Sequence, residues 1–366
     1  MNALLAATTR SLSGKRMIQG SSTLIGLMRS AARWHAAPTA IADTRAACLR
    51  IRDFPRRFVF NADLDGVLSA HLLRKHLGWE PVGASSCSGL PTDSLWLPSG
   101  SLGTEIVFVD LWVAPPEYAV IDQHIVAIDR PHAQSLRSHP MKVNPNLLWV
   151  RTSETSATDA EHHYKWKYPF GVVHFLIAAL ESLGEPIRIA DEPLHGSATA
   201  LDLVLRADDA ARSTAGRYRE NALGWWEYLC AFGGGVTAAL AERACCMRES
   251  EALRRQTDVE HWIRSCAHRH SILKIGADAG LSQHLLAAGW SSGADAVVSG
   301  IGEACGFTRM ATHDRWIRRS LCGARSDASN PASMRAALSN TDLFSYAVTA
   351  RFGTKSATGF SCSFRR

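Results

Sequence analysis

Lysine is scarce in this chain. Only 7 of its 40 basic residues are Lys, the rest being Arg, and 34 acidic residues leave a formal net charge of +6 at pH 7. So mild an excess does not demand a polyanionic partner, although Arg forms the planar bidentate pairs with phosphate that Lys cannot. There is no run of about 18 apolar residues to serve as a transmembrane helix, so no membrane partner is expected. Heptads and repeats of 20–50 residues are missing too, which sets aside coiled coils and solenoids. The nine cysteines contain no Cys-x-x-Cys pair, so a structural zinc site has little to stand on. They read as reduced thiols of an intracellular protein, with adjacent Cys245 and Cys246 as small core residues of a helical stretch. Gly-x-Gly-x-x-Gly, P-loop and Gly-x-Ser-x-Gly sequences are absent as well. That removes the common glycine cradles for nucleotide phosphates and the serine nucleophile elbow.

What is present is enough apolar material for sizeable cores. Hydrophobic residues make up 46% of 366 and charged residues 20%, which argues against wholesale disorder. At roughly 150 residues per domain the length suggests two domains. Residues 1–42 contain no Asp or Glu and carry Arg10, Lys15, Arg16, Arg29 and Arg33 among Ser, Thr, Ala and Leu. Residues 1–50 are therefore read as a disordered extension or a targeting segment, which makes the expected location cytoplasmic, or the mitochondrial matrix if the segment is a transit peptide. The remainder divides into 51–255 and a smaller α/β domain over 256–366.

Phe58 to Phe60, Ile106 to Val109 and Tyr118 to Ile121 are short continuous apolar runs, the mark of strands buried on both faces. Between them a helix is predicted over Val67–Leu77, closed by Gly78, and another over Gly171–Leu183. Such alternation predicts an α/β fold, a mostly parallel sheet with flanking helices. Residues 197–253 read as mainly helical, broken at Gly233-Gly234-Gly235. Further on, strands are expected at 271–275, 296–299 and near Phe344–Phe352, a helix around 281–288, and loop over 322–340.

Each of the first three runs ends in Asp: Asp63 with Asp65, then Asp110, then Asp122. Ligands of open α/β sheets bind beyond the carboxyl ends of strands, so these acids can share one crevice despite their separation in sequence. Four carboxylates there repel unless a cation neutralises them. With His124 as one imidazole, the oxygen-rich set suits Mn²⁺ or Mg²⁺, one or two ions, and a shared Asp makes a two-metal site for phosphoryl displacement.

The segment Asn61-Ala62-Asp63-Leu64-Asp65-Gly66-Val67-Leu68-Ser69-Ala70 resembles the first motif of the DHH phosphoesterase superfamily. Asp110 after its strand looks like the second motif, and Asp122-Gln123-His124 like the Asp-His-His signature. The resemblance spans roughly residues 56–215. It implies metal-dependent hydrolysis of a phosphodiester or phosphoanhydride, in an oligonucleotide or nucleotide, with a phosphorylated small molecule or short nucleic acid as partner. By the same resemblance Asp63 and Asp65 each hold one Mn²⁺, Asp110 bridges the pair, and Asp208 supplies a further ligand, with Asp209 and Asp202 as rivals. His124 lies beside the scissile phosphate as a contact or proton carrier, which places it with Asp65 among the catalytic groups. The loop after Asn144-Pro145-Asn146 brings Ser153, Thr155 and Ser156 as phosphate contacts.

Two positions depart from the pattern. Gln123 stands where the family has a metal-binding His, and Asn61 where it opens on His or Asp. Gly233-Gly234-Gly235 is followed by Val236, so it reads as a helix break instead of the family's Gly-Gly-Gly-His phosphate grip. Two other readings follow from these features: a binding module that kept the fold and lost part of its metal site, and a nucleic-acid-binding protein that uses the Arg surplus. The aromatic–basic cluster His162 to Lys167 is a candidate surface for nucleic acid. Trp225-Trp226 reads as core, and His261, Cys266, His268 and His270 as one face of a strand. An oligomer is compatible with the sequence.

Overall fold

Side chains alternate along the central strands and so feed two different cores. Phe58, Phe60, Val107, Val109, Ala119 and Ile121 belong to one apolar cluster, while Val59, Phe108 and Val120 belong to another on the opposite face. All nine are buried. In the computed structural model, residues 35–99, 103–149, 166–216, 218–270, 290–310, 316–327, 331–350 and 358–365 are described.

Helix α1 (Pro38–Ile51) leads into β1 (Arg57–Asn61), α2 (Leu64–Leu77), β2 (Glu80–Ser86), β3 (Ser94–Leu97), β4 (Val107–Val109) and β5 (Ala119–Ile121). Then come α3 (Arg130–Arg137), β6 (Lys142–Val143), α4 (Pro145–Leu148) and α5 (Val172–Ser182). A two-stranded hairpin, β7 (Pro193–His195) and β8 (Ala198–Thr199), precedes α6 (Ala200–Arg206), α7 (Ala210–Ala215), α8 (Arg219–Cys230), α9 (Gly235–Cys246) and α10 (Glu249–Arg269). The chain closes with α11 (Ser292–Ala304), β9 (Ile317–Ser320), β10 (Cys322–Asp327), α12 (Pro331–Leu338), β11 (Leu343–Ala350) and β12 (Thr358–Phe364).

The main sheet has seven strands in the order β6-β5-β4-β1-β2-β3-β9. The first five in that order run parallel; β3 and β9 are antiparallel to their neighbours. This is the mostly parallel α/β sheet that the apolar runs predict. Helices cover one face. The other is covered by the three-stranded antiparallel sheet β10-β12-β11 together with residues of α3 and α12, the small sheet being joined to the main body by the bridges Val113–Ser345 and Ile125–Val348.

Helix α2 begins three residues before the predicted Val67. Asp63 caps it, its Oδ1 accepting the Gly66 N–H at 3.0 Å, and Gly78 ends it in the left-handed region at φ 66°. Gly66 has no room for a side chain, because a Cβ there would lie 2.0 Å from the Asn61 carbonyl oxygen. Helix α2 can therefore start directly on the end of β1.

The expected division at residue 255 falls inside the continuous helix α10, and described residues of the carboxy-terminal segment pack into the same two clusters as the sheet. Strand β9 pairs with β3, Val297, Val298 and Ile301 of α11 share the cluster of Phe58 and Leu68, and Leu343, Phe344 and Val348 share that of Phe108. Three local expectations also change. Residues 296–299 are helical, since Ser291 caps the segment and Ala294, Val297, Val298 and Ile301 recur at helical spacing. Within 322–340 lie β10 and α12 instead of loop. His261, Cys266 and His268 sit on α10, not on a strand. Trp225 and Trp226 are buried as expected, whereas Cys246 is exposed. All nine cysteines are free thiols. Residues 271–275 and 281–288 lie outside the described residues. Among those described, no helix is long and apolar enough to cross a membrane.

Candidate metal centre

Strand order determines where the acids meet. From β1 the chain steps to β2 and β3 on one side, then returns to place β4 on the other side of β1. The carboxyl ends of β1 and β4 thus flank a topological switch point, where the connections leave in opposite directions and open a crevice. Asn61 ends β1 with Asp63 two residues on; Asp110 follows β4, Asp122 follows β5 and Asn144 follows β6.

Two amides tie the acids together. Asn61 Nδ2 donates to Asp63 Oδ2 at 2.6 Å and to Asp110 Oδ2 at 3.3 Å. Gln123 Nε2 donates to Asp208 Oδ2 at 2.7 Å and, at the long limit of 3.5 Å, to Asp110 Oδ1. Asp110 adopts φ 57°, an uncommon conformation for a side-chain-bearing residue, while its N–H donates to the Ile121 carbonyl at 2.9 Å. That turn leaves the Asp110 carboxylate between the two amides.

Beside this group stands the pair Asp122 and His124. Asp122 is fully buried; its Oδ1 lies 2.8 Å from His124 Nδ1, and its Oδ2 accepts the His124 N–H at 3.0 Å and Asn144 Nδ2 at 3.3 Å. Asn144 Nδ2 also donates to the His124 carbonyl at 2.8 Å, and Asn146 Nδ2 to the Gln123 carbonyl at 2.5 Å. Asn146 Oδ1 in turn accepts the Tyr168 N–H at 2.7 Å. The Asn-Pro-Asn segment therefore holds the Gln123–His124 backbone, a role not foreseen from sequence. Its signal was available, as two amides directly after a strand of the same sheet. Lys167, next to Tyr168, is close enough to His124 for their charges to interact.

Burial and mutual repulsion dominate the electrostatics. Burial holds the Asp110 carboxyl well above the ordinary range, and the charges of Asp63, Asp65, Asp208 and Asp122 push it further. Asp65 is raised well above its usual value by burial, then by Asp208 and Asp63. Burial also raises Asp63, against the hydrogen bond from Gly66. For His124, burial favours the neutral ring, but the charge and hydrogen bond of Asp122, with the charge of Asp208, together outweigh it and raise the pKa to about 9.

Asp65 occupies a special place. Its Oδ2 accepts the Val172 N–H at 2.6 Å and its Oδ1 the Val173 N–H at 2.8 Å, so the carboxylate closes the amino end of α5. Gly171 makes this approach possible, since a Cβ there would lie 2.5 Å from the carboxylate. Of the three candidates for the later acid, Asp208 is the one that reaches the cluster. Asp202 is a capping-box residue paired with Arg243 and Arg255, and Asp209 pairs with Arg206. Ser153, Thr155, Ser156 and His162 to Lys165 lie outside the described residues. The amides that open α9 are already used: Gly234, Val236 and Thr237 donate to the Glu181 carboxylate, leaving no phosphate grip there.

The donor set fits a hard divalent cation. Ligand atoms of Asp110, Asp122 and His124 all lie within 4.8 Å of one another, and oxygen donors with one imidazole suit Mn²⁺ or Mg²⁺. Gln123 adds a second indication, because its Oε1 is buried without a hydrogen-bond partner. The chain matches no family model, no curated protein and no solved structure.

Proposed function

We propose that this chain is a DHH-type phosphoesterase that uses Mn²⁺ or Mg²⁺, one or two ions, to hydrolyse a phosphodiester or phosphoanhydride of an oligonucleotide or nucleotide. The observation that carries the reading is the convergence of Asp63, Asp110, Asp122 and Asp208 at one switch point, where burial and repulsion hold Asp110 well above the ordinary carboxylate range. A bound cation neutralises such a cluster. When bound, it would activate water and offset charge on the phosphoryl oxygens. Asp63, Asp110, Asp122 and Asp208 are the residues to hold it, with His124 as the nitrogen donor or the proton carrier.

The protein's own part in the reaction follows from Asp122. By accepting at His124 Nδ1 it orients the ring and favours the protonated form, leaving a proton available to a phosphoryl oxygen or a leaving group. Asp208 is exposed at the rim and marks the side from which a substrate enters. Gly171 and the amino end of α5 close around Asp65.

A second reading, a binding module with a degenerate site, is favoured by the amides. The NH₂ groups of Asn61 and Gln123 bridge carboxylates that a cation would otherwise bridge. Hydrolysis of a dinucleotide, a cyclic dinucleotide, pyrophosphate and a short single strand with Mn²⁺ separates the two. Turnover that requires Mn²⁺ and disappears in Asp110→Asn supports the enzyme. Silence on all four, with Mn²⁺ bound without turnover or not bound at all, supports the binding module and removes the enzyme.

A further inference from the structure

Asp208 and Asp209 are consecutive side-chain-bearing residues in the left-handed region, with φ 48° and 54°. They form the single 3-10 turn, residues 207–209, between α6 and α7. An L residue is disfavoured in this conformation, and two in succession persist only where the surroundings over-determine them. The consequence for the candidate metal centre is direct. The two acids diverge, Asp208 accepting from Gln123 at 2.7 Å and Asp209 pairing with Arg206.

Arg206 is the joint. It is 6% exposed, and its guanidinium reaches two separate elements: Nη1 donates to Asp209 Oδ1 at 2.6 Å and Nη2 to Glu260 Oε1 at 2.9 Å. Glu260 is itself held, since Gln256 Nε2 donates to the same oxygen at 3.1 Å one turn earlier on α10. The fork thus ties the strained turn to the long helix. Asp209 is drawn toward α10, and the reversal of the backbone between the two acids presents Asp208 to the sheet side. A planar fork can hold both acceptors at once; an ammonium on a flexible stem cannot hold the same geometry.

We propose that Arg206 and Glu260 are positioning residues that act through Asp209 to hold Asp208 at the metal centre. The inference rests on the metal-centre reading above, and it assigns to α10 the task of setting cation affinity from outside the ligand set. Supporting groups of this kind commonly change metal affinity 10–100-fold.

The test is Mn²⁺ affinity of the full chain, read from the electron paramagnetic resonance of free Mn²⁺. The variants are Arg206→Lys and the isosteric Glu260→Gln, each made alone and with Asp208→Asn, and circular dichroism selects those that fold. Arg206→Lys is expected to weaken Mn²⁺ binding about tenfold and Glu260→Gln by a smaller factor, both losses shrinking below about twofold once Asp208 is Asn. Equal losses with and without Asp208 would show a general structural role and overturn the proposal. So would a folded Arg206→Lys or Glu260→Gln protein that binds Mn²⁺ as the wild type does. A wild type that binds no Mn²⁺ removes the metal centre itself, and the positioning role with it. If Arg206→Lys does not fold, Glu260→Gln decides the outcome by the same comparison.

Discussion

The Asp65 carboxylate accepts the Val172 N–H at 2.6 Å, joining the turn after β1 to the start of a helix 107 residues later. A group that resembles a metal ligand in sequence therefore also completes a helix end in the fold. Asp65→Ala leaves the Val172 and Val173 N–H groups buried without acceptors, at about 1–3 kcal/mol each. Urea unfolding should show a loss of about 2–6 kcal/mol, with Asp65→Asn losing less because one oxygen remains. Stability within about 0.5 kcal/mol of wild type in the Ala variant would rule out the helix-closing role. Loss of activity in Asp65→Ala is thus ambiguous on its own, and Asp110→Asn is the cleaner probe of chemistry.

Gln123 holds a position where imidazole would be a stronger ligand than an amide oxygen. Gln123→His is expected to raise Mn²⁺ affinity about tenfold, measured by titration calorimetry, despite losing the bond to Asp208. If turnover appears only in this variant, the natural site is a degenerate one on an enzyme fold. Unchanged or weaker binding would show that Gln123 does not face the cation.

Stability of the metal-free protein should fall as pH rises. His124 is raised from 6.5 to about 9 in the fold, so its contribution is fully present below 6.5 and is lost as pH passes through 9. The raised carboxyls of Asp63, Asp65 and Asp110 act in the same direction. Burial lowers Lys142 to about 8, which works oppositely from 8 upward, so the useful quantity is the difference between wild type and His124→Gln. That difference should shrink by about 2 kcal/mol, allowing for screening at the exposed edge of the ring, between pH 6.5 and 9.5. A pH-independent difference would mean that Asp122 does not hold a proton on His124. Added Mn²⁺ should stabilise more at the higher pH, since protons compete for its ligands.

Gly302 faces the buried ring of His71, where a Cβ would lie 2.2 Å from the imidazole. His71 bonds the Val298 carbonyl at 2.9 Å and stacks on Phe307, while burial lowers its pKa to about 4. The ring cannot retreat without breaking both contacts. Gly302→Ala should cost about 1–3 kcal/mol in thermal or urea unfolding. A variant as stable as wild type would show that α2 and α11 are not packed this closely.

Three of the seven strands, β1, β4 and β5, could be read from the chain because they are short, continuous apolar runs with Asp just beyond them, whereas β2, β3, β6 and β9 carry no such mark. The later elements were harder to read. Residues 296–299 contain Ala-Val-Val-Ser, which suits either a strand or one face of a helix, and only the full spacing from Ala294 to Ile301 distinguishes them. Residues 322–327 look polar because β10 leaves Cys322, Ala324 and Arg325 exposed on a small antiparallel sheet that needs apolar groups on one face only. The candidate site was legible in its acids, Asp63, Asp110, Asp122 and Asp208, and less so in the amides of Asn61, Asn144 and Asn146 that organise them.

By itself the sequence determined local features: the strands β1, β4 and β5, the helices α2 and α5, the Gly78 that ends α2, and the acids that stand beyond strand ends. These depend on backbone sterics, capping and the period of apolar residues, all of which act within a few positions. The tertiary structure alone decided that β4 lies beside β1, that Asp65 turns toward α5, and that Asp208 and not Asp202 or Asp209 reaches Gln123. It also decided that β9 extends the sheet at β3 and that α11 and β11 join its two clusters. Those outcomes depend on which distant surfaces bury one another, and that choice is made by packing across the whole chain.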